Sequence, residues 1–355
     1  MQIDSSATVL ITGATGFLGG ALVKTLSERA CKIRLFVRSD TKAKELADKY
    51  GARVIAGELS SPATVLNACA DVTHIFHVAA QQASSAQNRS VTKAAIYASN
   101  VEATRVLAEC AAQASNPPRF IHVSTAAVHG DTGDQPATES SPFRAQTDYE
   151  KSKLEAELLL REIAALSNLP LTILRPCAIV GPGDKRLLKL FRLANRRLIP
   201  ILGSGDNYYQ IIHVDDMARV LVAAAQARQA IGETYVCGNP ETLTLRELIE
   251  LIAQAEEKSN RGAGRVISIP AAPVRFAVRY VEKISAWFGV KPLLSTDRLG
   301  FFSANHRFDT RKLAEALANP LTNTRDSQGD HSLITHSNAS AVADAQRWYE
   351  DQRLL

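Results

Sequence analysis

Only five cysteines, Cys31, Cys69, Cys110, Cys177 and Cys237, are scattered through the 355 residues, and none forms a Cys-x-x-Cys pair. No zinc-finger spacing is present, and an odd, dispersed set lying mostly in apolar runs reads as reduced core thiols. No apolar run approaches the ~18 residues of a membrane helix, and no basic stretch precedes an apolar one at the start of the chain. These absences predict a cytoplasmic protein. Charge of one sign is also lacking, since 41 Lys and Arg face 36 Asp and Glu for a formal charge of +5. Without a long Lys/Arg block no nucleic-acid partner is expected. There is no internal repeat. What remains is 46% apolar content in a chain long enough for one large α/β unit and a smaller second lobe.

The chain is organised around Thr12-Gly13-Ala14-Thr15-Gly16-Phe17-Leu18-Gly19. An apolar run, Thr8 to Ile11, precedes it, and helical spacing of apolar residues follows from Phe17 to Leu26, so the stretch reads as strand, tight turn and helix. Gly13 allows a backbone conformation closed to other residues, Gly16 lets the main chain approach a pyrophosphate, and Gly19 lets helix and strand pack closely. An anion there would meet free N–H groups at a helix N-terminus. Gly13, Thr15, Gly16, Phe17, Leu18 and Gly19 are therefore candidate cofactor-binding residues, although three glycines also serve plain strand-to-helix packing.

The Gly-x-x-Gly-x-x-Gly spacing resembles the extended branch of the short-chain dehydrogenase/reductase superfamily, whose first turn reads Thr-Gly-x-x-Gly-x-x-Gly. That resemblance implies an α/β fold, a doubly wound parallel Rossmann sheet with a smaller C-terminal α/β substrate lobe. It also implies landmarks downstream. The second strand, Lys32 to Val37, ends at Arg38-Ser39, where such folds carry an acidic residue for the 2′-hydroxyl of NAD or an arginine for the 2′-phosphate of NADP. Arg38 and Ser39, with Lys42 nearby, point to NADP(H), with NAD(H) the alternative. Gly57-Glu58-Leu59 stands for the family's Gly-Asp-Leu beside the adenine, placing Glu58 and Leu59 at the cofactor. The fourth strand, Thr73 to Val78, runs into His77-Val78-Ala79-Ala80, close to His-x-Ala-Ala, where Ala79 meets the nicotinamide end; His77 reads as a packed histidine, and no metal is expected. Asn100-Val101-Glu102-Ala103-Thr104 resembles Asn-Val-x-Gly-Thr, with Asn100 supporting the site from below.

The fifth strand, Arg119 to Val123, delivers Ser124-Thr125-Ala126-Ala127-Val128-His129-Gly130, against the family's Ser-Ser/Thr-x-x-Val-Tyr-Gly. Counting back from Gly130 puts Thr125 at the catalytic hydroxyl, with Ser124 the alternative and His129 where tyrosine is usual. Tyr149 and Lys153 then lie one helical turn apart on one face. A free tyrosine titrates near 10, and an adjacent ammonium is expected to lower it so that the pair passes a proton to or from a substrate oxygen. By resemblance Thr125, Tyr149 and Lys153 are catalytic, and Tyr149 and Lys153 also touch the cofactor. A sixth strand, Leu171 to Leu174, leads to Arg175-Pro176 and then Gly181-Pro182-Gly183-Asp184, similar to Arg-Pro-x-x-Val-Tyr-Gly-Pro-Gly-Asp, with Pro176 at the cofactor.

Residues 1–180, with later segments near 208–228, are assigned to the dinucleotide-binding domain, and 181–318 to a discontinuous substrate lobe. A helix from Lys185 to Arg197 is expected to carry Arg186, Lys189, Arg192 and Arg196 as a basic stripe, either solvated or meeting a phosphate. Ile211-Ile212-His213-Val214-Asp215-Asp216 resembles Ile-His-Val-Asp-Asp, with Asp215 expected to cap a helix ending at Arg228. Val274 to Phe288 reads as an amphipathic helix over the substrate lobe, with a membrane-surface role as the alternative. Phe308-Asp309-Thr310-Arg311-Lys312 again resembles the family, residues 319–340 form a polar loop or insertion, and 341–355 hold a last helix. The resemblance is in style to 3β-hydroxysteroid dehydrogenase and dihydroflavonol reductase members. It implies an alcohol–ketone oxidoreductase acting on a small, hydrophobic or weakly polar molecule, and a homodimer. A nucleotide-sugar epimerase or dehydratase is the rival within the fold, and a non-catalytic NADP-binding regulator the rival outside it. Nucleotide-sugar members typically carry asparagine shortly after the strand-six arginine and Arg-Asp before Ile-His-Val-Asp-Asp; this chain has Ala178 and Tyr209-Gln210 there.

Overall fold

Seven short runs pair into one sheet whose inner strands are buried on both faces, the pattern that parallel strands flanked by helices require, while the edge strand at Arg53–Ala56 stays largely exposed. Numbered along the chain, they are β1 (Thr8–Thr12), β2 (Lys32–Val37), β3 (Arg53–Ala56), β4 (His74–His77), β5 (Arg119–Val123), β6 (Leu171–Pro176) and β11 (Thr234–Cys237). Their order is β11-β6-β5-β4-β1-β2-β3, with every neighbouring pair parallel. The order reverses between β1 and β4, and a doubly wound sheet binds its ligand in the crevice outside the strand carboxyl ends at such a point. This computed structural model describes residues 2–38, 41–82, 91–257, 264–270, 273–274, 278, 304–317 and 332–355.

Alternation along the strands feeds two cores. Val9, Ile11 and Leu35 pack with Leu22 and Leu26 of α1 (Phe17–Ser27), Ala43 and Ala47 of α2 (Thr41–Tyr50) and Val220 and Leu221 of α8 (Val214–Gln226). Leu10, Phe36 and Ile75 face the other way, against Val65 of α3 (Pro62–Cys69), Leu107 of α5 (Ala103–Ala112) and Leu160 of α6 (Asp148–Ser167). A short helix α4 (Lys93–Tyr97) and a wide turn at Ala98–Glu102 lead into α5.

A third core belongs to the second lobe. It joins Phe191 of α7 (Leu188–Ala194), Ile249 and Ile252 of α9 (Leu245–Glu257), and Val342 and Tyr349 of a helix at Asn338–Asp351. Three two-stranded pairs edge this lobe: β7 (Ala178–Val180) with β10 (Ile211–His213), β8 (Leu198–Leu202) with β13 (Arg265–Ile269), and β9 (Tyr208–Tyr209) with β12 (Leu243–Thr244). Helix α10 (Arg311–Leu317) returns to the first core through Leu313 and Leu317. The Asn338–Asp351 helix, α11, is capped by Ser337. No helix among the described residues is long and apolar enough to cross a membrane.

Three expectations need correction. The helix foreseen from Lys185 to Arg197 is only Leu188–Ala194, because Gly181 and Gly183 take positive φ and residues 181–187 form a loop. The basic stripe does not form: Arg186 lies before the helix, Arg196 after it, and Arg192 donates to the Leu354 carbonyl. Asp215 is not the cap of α8; His213 is, its Nδ1 accepting the Asp215 N–H at 3.2 Å, while Asp215 sits in the first turn. Most of the 274–288 stretch expected as a helix, Ser39 and most of the polar 319–340 segment lie outside the described residues.

Candidate active site at the strand carboxyl ends

The glycine turn is shaped for an anion. Gly13 has φ +75°, and a Cβ there would lie 2.6 Å from the Ala79 backbone nitrogen, so the ends of β1 and β4 touch only because it is glycine. A Cβ on Gly19 would lie 2.1 Å from the Gly13 carbonyl oxygen. Gly16 caps α1 with no side-chain hydrogen bond, leaving first-turn N–H groups for a ligand whose negative charge the helix dipole favours. A diphosphate fits this cradle. Thr15 borders it, its carbonyl receiving Lys42 Nζ at 2.6 Å. Arg38 follows β2, exposed to solvent, and Glu58 and Leu59 follow β3 on the same edge of the sheet.

Across the switch point, β5 ends in two hydroxyls with different fates. Ser124 is buried and donates to the Glu157 carboxylate. Thr125 remains half-buried, its Oγ1 accepting, among the described residues, only the Ala127 N–H at 3.2 Å as the cap of a single turn. Thr125 is thus the hydroxyl with a free proton for a ligand, and Ser124 is a strut.

Helix α6 begins with a capping box, Thr147 and Glu150 bonding each other's backbone, which orients Tyr149 in its first turn. Asn100 fixes the ground beneath: Oδ1 accepts the Gln81 N–H at 2.7 Å, and Nδ2 donates to the Gln81 carbonyl and to Ser152 Oγ at 2.9 Å. His77 packs as a neutral bridge, 2.7 Å from both Thr12 Oγ1 and Thr104 Oγ1, and burial holds its pKa down at about 3. Pro176 closes β6 beside Cys237 of β11.

Lys153 does not lower the Tyr149 phenol as the one-turn spacing suggests. Burial raises that pKa, opposed by a hydrogen bond with Gln82 and by the charge of Arg186, and the phenol is therefore a proton donor at neutral pH. Lys153 is itself buried, with Nζ 3.2 Å from Nε2 of His122, and burial lowers its pKa to about 8 against the pull of Glu157. The lysine thus turns toward β5, under the Thr125 end.

Sequence reasoning missed the groups that hold this arrangement. Glu157 lies one turn beyond Lys153, on the face already singled out, and accepts Arg175 Nη2 at 2.6 Å and Nε at 3.0 Å, both side chains being almost wholly excluded from solvent. Arg175 also meets His129 Nε2 at 3.0 Å, so the histidine standing for tyrosine is buried structure rather than pocket rim. Away from the crevice His213, His336 and Asp344 converge within 4.8 Å. The two rings stack at 3.8 Å, His213 Nδ1 caps α8 and His336 Nδ1 is 2.8 Å from Asp216 Oδ1, a joint tying residues 335–344 to α8.

A doubly wound parallel sheet, a glycine cradle at its switch point, and a hydroxyl, a phenol and a lysine at the adjoining strand end define a nicotinamide-dinucleotide enzyme of the extended short-chain dehydrogenase/reductase type. The profile of the NAD dependent epimerase/dehydratase family matches residues 9–238, and the chain belongs to that family. It is similar to 2-alkyl-3-oxoalkanoate reductase of Stenotrophomonas maltophilia, 29% identical over 70% of this chain and 75% of the relative. It is also similar to 3beta-hydroxysteroid-dehydrogenase/decarboxylase isoform 1 of Arabidopsis thaliana, 26% identical over 87% of this chain and 74% of the relative. Among solved structures, gox2253 superposes with TM-score 0.78 at 25% identity over 98% of this chain and 99% of that one. A UDP-glucuronic acid 4-epimerase from Bacillus cereus, in complex with NAD, shares the fold at TM-score 0.71 and 18% identity, covering 97% of this chain and 99% of its own.

Proposed function

We propose that this protein interconverts a secondary alcohol and a ketone on a largely apolar small molecule, with NADP(H) preferred. The observation that carries the reading is that α6, which bears Tyr149 and Lys153, packs against the single turn at Ala126–His129 that Thr125 caps, with burial keeping the Tyr149 phenol protonated. When bound, the nicotinamide supplies or accepts hydride. Tyr149 would give its proton to the carbonyl oxygen and Thr125 would donate a hydrogen bond to that oxygen, while Lys153 would hold the cofactor ribose through its N–H donors. Two relatives bear names for such chemistry, a 3-oxoalkanoate reductase and a hydroxysteroid dehydrogenase. Tyr209 and Gln210, where nucleotide-sugar members carry Arg-Asp, are buried; Gln210 is engaged with the Asn239 carbonyl at 2.7 Å and the Phe308 N–H at 2.8 Å. A sugar diphosphate would lack a charge-assisted partner at that position. A panel of ketones and alcohols, followed by absorbance of the reduced cofactor, tests the reading. Low-micromolar binding of UDP- or dTDP-sugars to the cofactor-loaded protein would replace it with the epimerase alternative.

The NADP preference rests on Arg38, an exposed cation after β2. Arg38→Asp is expected to reverse the ratio of NADP to NAD affinity, read by calorimetry; a parent protein that binds NAD as tightly as NADP rules the assignment out.

Lys153 holds its charge below about pH 8 and loses it above. The ammonium is the stronger donor to the ribose, so ketone reduction at subsaturating cofactor is expected to decline as pH rises through that value. A rate that stays flat between pH 7 and 9.5 removes the lysine charge from the mechanism.

A further inference from the structure

Arg186 is anchored by internal contacts while part of it stays open to solvent. The carboxylate oxygen Oδ1 of Asp184, a fully buried residue, accepts both the Arg186 backbone N–H at 2.9 Å and Nε at 3.0 Å. Nη2 donates to the Ile179 carbonyl at 2.9 Å. The guanidinium lies over the Phe17 ring, 5.5 Å from its centre, and Phe17 opens α1 immediately after the glycine turn. Gly183, φ +103°, brings the loop against the same ring, where a Cβ would sit 3.4 Å from Phe17 Cδ2. The side chain is nonetheless 41% exposed, and Nη1 donates to no described residue. Burial raises the Tyr149 and Tyr209 phenols, and the charge of Arg186 works against that rise in both.

An arginine fixed by two internal acceptors and a ring, with one edge open, has already lost the side-chain freedom that binding would otherwise cost. Such an edge suits a planar carboxylate, which it meets with short charge-assisted bonds. We propose that Arg186 anchors a carboxylate of the substrate, and that the substrates are apolar oxo acids and their hydroxy-acid counterparts rather than neutral ketones. This rests on the alcohol–ketone reading above. The diphosphate of the cofactor is the other anion in reach, at the N-terminus of α1 beside Phe17, and the test separates the two.

Arg186→Met and Arg186→Lys are compared with the parent on a series of apolar oxo acids, the ketone one to four carbons from the carboxylate, each beside its methyl ester. The parent is expected to favour at least one acid over its ester in kcat/KM. That preference is expected to fall about 10- to 100-fold in Arg186→Met, the scale of a lost charge-assisted hydrogen bond, and less in Arg186→Lys. Calorimetry of NADPH is expected to give the same Kd for parent and Arg186→Met. A tenfold weaker cofactor with an unchanged acid-to-ester ratio assigns the arginine to the diphosphate and overturns the proposal, as does a ratio that does not move. Should the parent turn over neither acid nor ester, the oxidoreductase reading fails by itself. Binding of the acids to the cofactor-loaded protein then decides on the anchor: tenfold loss in Arg186→Met supports it, and equal affinity, or no binding to the parent, overturns it.

Discussion

Tyr149→Phe is expected to lower kcat for ketone reduction by about 10²- to 10⁴-fold, the usual worth of a positioned proton donor. The phenyl ring keeps the half-buried packing at the start of α6, and neither the glycine cradle nor Arg38 is touched. Cofactor affinity should therefore hold while turnover collapses. This split distinguishes loss of a proton donor from loss of fold. Because burial holds the phenol above its ordinary value, the parent enzyme keeps this donor protonated throughout the neutral range. A variant retaining more than about a tenth of the parent rate would move the proton transfer to another group.

Glu157→Ala is expected to destabilise the folded chain by about 3–5 kcal/mol, the cost of stranding one member of a buried ion pair. Glu157 is the acceptor for Ser124 and for two nitrogens of Arg175. Arg175 is among the largest fully buried side chains, and its remaining donors go to His129 and the Glu139 carbonyl. Removing the carboxylate leaves a guanidinium without a counter-charge between α6 and β6. Chemical or thermal unfolding should show a midpoint lowered by on the order of 10 °C. The paired change Glu157→Leu with Arg175→Met should cost less, because no buried charge is left behind. A single variant within about 1 kcal/mol of the parent would mean that water reaches Arg175.

The inner strands and the glycine turn were legible in the linear chain because their causes are local. The strands of a sheet covered by helices read as largely apolar runs, and β2 and β5 run as expected to the residue. Gly13 and Gly19 are required by contacts within one strand–turn–helix unit and with the adjoining end of β4. The one-turn spacing of Tyr149, Lys153 and Glu157 along α6 follows from helix geometry alone. Where those side chains find partners does not follow from it. Lys153 turns to His122, Ser124 is held by Glu157, and Arg186 leaves its expected helix for Asp184 and the Phe17 ring. Most of these contacts join residues tens or hundreds of positions apart, and burial then sets their charge, as with Lys153 near 8. The amino-acid sequence by itself determined the fold class and the residue types at the crevice. Only the tertiary structure decided which strand-end hydroxyl is held by a carboxylate, that burial raises the Tyr149 phenol, and where the arginine points, because hydrogen-bond partners and desolvation exist only once distant segments are packed together.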